Sequence, residues 1–122
     1  MRVLIVESDP DLGALWQRHM DRQGMTTRLE TGQSGAIRAL QTHDFDVVVL
    51  DLVIAQGSAL AIADFASYRH PDSQIVFVTN TSFFSDGSIF SLNANTRALV
   101  QSDTPPEDLT AMVAHYGRTR GS

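Results

Sequence analysis

A chain of 122 residues with 43% hydrophobic side chains is most simply one domain, able to bury about two-thirds of its unfolded surface. Its basic side chains are nine arginines and no lysine, and its net charge of −5 argues against a broad nucleic-acid surface, which needs a basic face to neutralise phosphates. The lack of cysteine excludes disulfides, thiol catalysis and cysteine metal sites. No apolar run approaches a membrane span, and a strand-like run begins at the N-terminus, so a soluble cytoplasmic protein without a signal peptide is expected.

In chain order, strand and helix patterns alternate five times. Val3 to Val6 is a continuous apolar strand. Pro10 suits the first turn of a helix capped by Ser8 or Asp9, carrying Leu12, Leu15, Trp16 and Met20 at helical spacing and stopped by Gly24. Thr26 to Glu30 is a more polar strand, expected near an edge. A helix over 33–41 turns Ala36, Ile37 and Leu40 inward. Val47 to Leu50 is the third strand, and a helix from Ser58 to Arg69 halts before Pro71. Ile75 to Val78 is the fourth strand. A Ser-, Gly- and Asn-rich helix is expected near Ser85–Ala94, with Asn95 as its left-handed stop. Ala98 to Val100 is a short fifth strand. Pro105 or Pro106 opens the last helix, where Glu107 and Asp108 favour the N-terminus and Leu109, Met112, Val113 and Tyr116 form one stripe.

Regular alternation with strands apolar on both faces predicts an α/β fold: a doubly wound, five-stranded parallel sheet of flavodoxin-like (βα)5 type. One domain is expected over 1–117, with 118–122 as tail or linker. Ligands of such a fold bind at the strand C-termini. There the first strand ends in Glu7-Ser8-Asp9 and the third in Asp51, so two strands deliver carboxylates to one edge, as a cation or phosphoryl site would require.

These residues resemble the response-regulator receiver domain over essentially residues 2–117. The resemblance is carried by Val6-Glu7-Ser8-Asp9-Pro10, by the strand reaching Asp51, and by Leu52-Val53-Ile54 with Gly57-Ser58-Ala59-Leu60. Val78-Thr79 and Pro106-Glu107-Asp108-Leu109 complete it. It implies that Asp51 is the phosphoacceptor for a histidine kinase and that Thr79 binds phosphoryl oxygens. Glu7, Asp51 and the backbone oxygen of Val53 would hold Mg²⁺ weakly, with Asp9 acting through water or serving only as a helix cap. Glu7, Asp51 and Thr79 are expected to converge in one pocket.

The match is incomplete where charge matters. Ser8 stands where the family has its second acid, the usual direct metal ligand. Ser102, or Gln101 one residue earlier, stands at the position of the lysine that neutralises the phosphoryl group, and Asp103 follows in place of a proline. Leu99 replaces a strand-five aromatic, and Ala55 replaces a common proline. An ammonium–phosphoryl contact contributes about 1.5–3 kcal/mol, and losing a preorganised donor costs on the order of 10²–10³ in rate.

Other chemistry finds little support. His19, His43, His70 and His115 lack metal-ligand spacing, and no P-loop, G-x-G-x-x-G or nucleophile elbow occurs. The chain is therefore expected to be a non-enzymatic, atypical receiver in two-component signalling. It would act as a protein-interaction module, with an ordinary phosphoacceptor switch as the alternative. Its partners would be a sensor histidine kinase or another signalling protein; a homodimer is left open, and neither nucleic acid nor membrane is expected. Phe83 and Phe84 are expected to mark either an interaction surface or buried core.

Overall fold

The computed structural model describes residues 1–80 and 95–118. The helix expected near Ser85–Ala94, with Phe83 and Phe84 before it, lies outside the described residues, as does the tail beyond Arg118. Along the chain run β1 (Arg2–Val6), α1 (Pro10–Arg22), β2 (Thr26–Glu30), α2 (Gln33–Thr42), β3 (Val47–Asp51), α3 (Ala59–Arg69), β4 (Gln74–Thr79), β5 (Thr96–Gln101) and α4 (Pro106–Arg118). The strands form one parallel sheet in the order β2-β1-β3-β4-β5. The last helix thus continues one residue past the expected boundary at 117.

Alternation of side chains along each strand divides the core in two. Leu4, Val6, Val48, Leu50, Ile75 and Phe77 pack with α2 and α3. Val3, Ile5, Val47, Val49, Val76 and Val78 pack on the other face with Trp16 and Met20 of α1 and Leu109 and Val113 of α4. This is the doubly wound arrangement that the apolar strands call for, and it leaves β2, with four half-buried residues, at an edge.

The helix starts follow from capping chemistry. Asp9 caps α1, accepting from the amides of Asp11 (3.0 Å) and Leu12 (3.4 Å), with Pro10 in the first turn. Ser58 caps α3 by accepting from Ala61 N–H at 3.2 Å. One expectation fails. Asn95 is not a left-handed stop, because no non-glycine described residue has positive φ. It is instead a buried connector: its carboxamide oxygen accepts from Ser67 Oγ at 2.5 Å and its amide donates to the Ser73 carbonyl at 2.7 Å. Burial with satisfied partners, rather than backbone conformation, explains an asparagine here.

Two glycines carry positive φ, Gly24 at 84° and Gly57 at 89°. A Cβ at Gly24 would meet nothing within 4 Å, whereas at Gly57 it would clash with Cβ and Oε1 of Gln33. Gly24→Ala is expected to cost about 1 kcal/mol through φ alone. Gly57→Ala should cost more, and adding Gln33→Ala should recover little of the difference, because alanine keeps the Cβ that the new methyl would meet. Urea midpoints of the two single variants and the double decide this; equal losses at the two glycines would contradict it.

Candidate functional site

The C-terminal edge of the sheet gathers the ends of β1, β3, β4 and β5. Glu7 follows β1, its N–H bonded to the Glu30 carbonyl at 3.1 Å, so it extends the row of Val3 and Ile5. Asp51 closes β3 in the row of Val47 and Val49, on the same face of the sheet. The two carboxyls are therefore brought together by register alone. Glu7 is 4% exposed and Asp51 half-buried.

Glu7 Oε1 accepts from Asp9 N–H at 3.1 Å, while its buried Oε2 receives no hydrogen bond from any donor among the described residues. Asp51 Oδ1 accepts from Val53 N–H at 2.9 Å. Burial, then a hydrogen bond to Asp51 and the negative charges of Asp51 and Asp9, push the Glu7 carboxyl from the ordinary 4.5 up to about 8; the Asp9 amide opposes this. A carboxyl donates such a bond only when protonated. With Glu7 ionised, two carboxylates face each other and Oε2 has no donor. Every charge acting appreciably on Glu7 is negative.

Asp9 Oδ1 is the α1 cap, one of the two roles that the resemblance leaves to this residue. Asp9 thus reaches the pair through its amide and its charge. Thr79 is fully buried at the end of β4, one position beyond the Asp51–Val78 pairing and in the row of Ile75 and Phe77. It ends the strand next to β3 but in the opposite row, so of the three side chains expected in one pocket the register brings together Glu7 and Asp51, not Thr79. Its carbonyl accepts from Ser102 N–H at 2.8 Å. Ser102 continues the row of Ala98 and Val100, which packs on the face that bears Glu7 and Asp51, whereas Gln101 pairs with Thr79 in the other row. Of the two candidates for the missing charge, Ser102 is the one on the acidic side.

The loop after β3 carries contacts that the sequence did not reveal. Ala55 N–H donates to Ser8 Oγ at 2.6 Å. Gln33 N–H donates to the Gln56 carbonyl at 3.1 Å, and Ser58 N–H donates to Gln33 Oε1 at 2.7 Å. Val53 itself is 65% exposed. Gly57 beside Gln33 was the available signal; a hydroxyl-to-amide bond across 47 residues leaves none in sequence periodicity.

The donor set fits a divalent cation in kind. A buried carboxylate oxygen without a donor, opposite a second carboxylate, is stabilised by positive charge, and carboxylate oxygens suit Mg²⁺. Glu7, Asp51 and the Val53 carbonyl would be its protein ligands, and the ion would supply the charge neutralisation that no neighbouring side chain of Glu7 among the described residues provides.

No protein-family model matches the chain. A curated relative, the response regulator protein PilR of Pseudomonas aeruginosa, is 27% identical over 78 residues, which is 64% of this chain and 18% of that protein. Among solved structures, a CheY-like receiver domain protein from Methanospirillum hungatei superimposes with TM-score 0.87 at 19% identity, covering 97% of this chain and 94% of that one. The response regulator TrrA of Thermotoga maritima, solved with Mg²⁺ and BeF, gives TM-score 0.81 at 18% identity, covering 94% and 97%. The HemR receiver domain of Leptospira biflexa gives 0.84 at 20%, covering 95% and 93%. The chain therefore has the fold of the CheY-like response-regulator receiver domains.

Because the folded-state pKa of Glu7 exceeds its unfolded value, folding takes up a proton between the two. Its contribution to stability is complete below about pH 4.5 and is lost as pH rises toward about 8. In Mg²⁺-free buffer the wild type should lose urea resistance across that window relative to Glu7→Gln, and Mg²⁺ at tens of millimolar should reduce the loss. Parallel curves for the two proteins would contradict the assignment.

Proposed function

We propose that this chain is a receiver domain of two-component signalling that works as a protein-interaction module with weak or absent phosphorylation. The observation that carries the reading is the uncompensated acidity around Asp51. Its immediate ionisable neighbour is Glu7, which feels only negative charge, and the strand-end position on the acidic face of β5 is Ser102 rather than a basic residue. A phosphoryl group arriving on Asp51 adds negative charge to a place already short of positive charge. Without a donor there, transfer is expected to be slower by on the order of 10²–10³. Such a domain is better suited to non-enzymatic recognition by a sensor histidine kinase or another signalling protein, through its surface, than to a chemical switch.

A phosphoacceptor switch remains the second reading, favoured by Asp51 itself. It is partly exposed, and its Oδ1 is held by the Val53 amide in the manner of an oriented nucleophile. The solved relative TrrA, crystallised with Mg²⁺ and BeF, shows what a receiver of this fold accommodates. For this chain Mg²⁺ is expected to bind weakly, since Ser8 contributes no carboxylate and Asp9 is committed to its helix. No described helix is long and apolar enough to cross a membrane.

The test is labelling by a small-molecule phosphodonor, read as mass gain of one phosphoryl group. The wild type should label slowly. Ser102→Lys should restore labelling only in part, because Asp103 competes for the ammonium. Ser102→Lys combined with Ser8→Asp should exceed the product of the single effects, since both changes stabilise the same transferring group. Rapid wild-type labelling abolished by Asp51→Asn would establish the second reading.

A further inference from the structure

Ser8 stands where the metal-ligating acid of a receiver is expected, yet its side chain is engaged elsewhere. Its Oγ accepts the Ala55 N–H at 2.6 Å, which leaves the hydroxyl hydrogen to point at the Thr31 carbonyl, 3.5 Å away. The first bond is short and the second marginal for an O–H donor. Together they place one small side chain at the meeting of three loops: β1 to α1, β2 to α2, and β3 to α3. Only a residue with a backbone N–H can make the Ala55 bond, so a proline at 55 would abolish it. The two departures at Ser8 and Ala55, 47 positions apart, are thus partners in a single contact.

We propose that Ser8 is a positioning residue whose hydroxyl ties the β3–α3 loop to the β1–α1 loop, so that the mouth around Asp51 holds its shape without a cation. The rest of the loop is fixed by related contacts. Gln33 holds Gln56 and Ser58, and Asp51 Oδ1 holds the Val53 amide, so the segment from 53 to 58 is anchored at four points. Ala55 lies at the exposed crest of that segment, and Ser8 is its side-chain tether. A loop anchored this way presents one surface whether or not Mg²⁺ is bound, and it does so regardless of whether Asp51 can be phosphorylated.

The experiment is amide hydrogen exchange read by NMR on the wild type, Ser8→Ala and Ser8→Thr, each with Mg²⁺ and with EDTA. In the wild type, Ala55 should be protected equally in both buffers. Ser8→Ala should speed exchange at Ala55 by roughly tenfold while leaving Val48 and Val49 unchanged, and Ser8→Thr, which keeps the hydroxyl, should preserve protection. The proposal is overturned if Ser8→Ala leaves Ala55 exchange unaltered, if the acceleration is matched at Val48 and Val49, or if wild-type protection at Ala55 requires Mg²⁺. Should Ser8→Ala fail to fold, the wild-type comparison in Mg²⁺ and EDTA and the behaviour of Ser8→Thr still decide between these outcomes.

Discussion

Glu7 and Asp51 are forced together by the sheet. β1 and β3 are neighbours in register, both present the same row of side chains to α1 and α4, and both end at the same edge. Two carboxyls so placed cannot both ionise cheaply in a partly buried setting, and one answers by holding its proton. Such a pair has three ways to relax: a shared proton, a cation, or a basic side chain. In this chain the neighbours acting on Glu7 are Asp51 and Asp9, which leaves the first two. The weakness proposed for phosphorylation, the pH dependence of stability and the expected effect of Mg²⁺ are consequences of that single constraint.

The residues around the pair also carry structural tasks at this edge. Asp9 supports α1 through its cap, and Thr79 closes a buried strand and receives the Ser102 amide. Ser8 accepts the Ala55 amide. None of these polar contacts disturbs the apolar rows. Fold is set by burial on two faces of a parallel sheet, whereas phosphoryl chemistry depends on a handful of charged atoms at one edge.

Much of the architecture was legible because its strands are apolar throughout and its helices carry stripes and caps. Val47 to Leu50, and Leu109 with Val113, lie where their patterns place them. Strand ends were shorter in prospect than in the structure: Thr96 and Gln101 belong to β5 although neither is apolar, because backbone pairing with β4 extends the strand beyond its hydrophobic centre. Asn95 serves a buried hydrogen-bond network, a role that composition cannot distinguish from a turn. At the site, Asp51 and Glu7 were visible as strand-terminating acids. The choice between Ser102 and Gln101 needed the register of β5. The Ser8–Ala55 contact needed the loops themselves, since nothing in local pattern couples two residues so far apart.

The claim that the Asp51 mouth lacks the positive charge to hold a phosphoryl group is tested most directly by titrating Mg²⁺ with beryllium fluoride and following the amide resonances of Asp51 and Thr79. Small, non-saturating shifts up to tens of millimolar Mg²⁺ are expected of a pair of carboxylates with no basic partner. Saturable shifts at both residues at micromolar concentrations, with Thr79 moving together with Asp51, would contradict the account and mark a working phosphoacceptor.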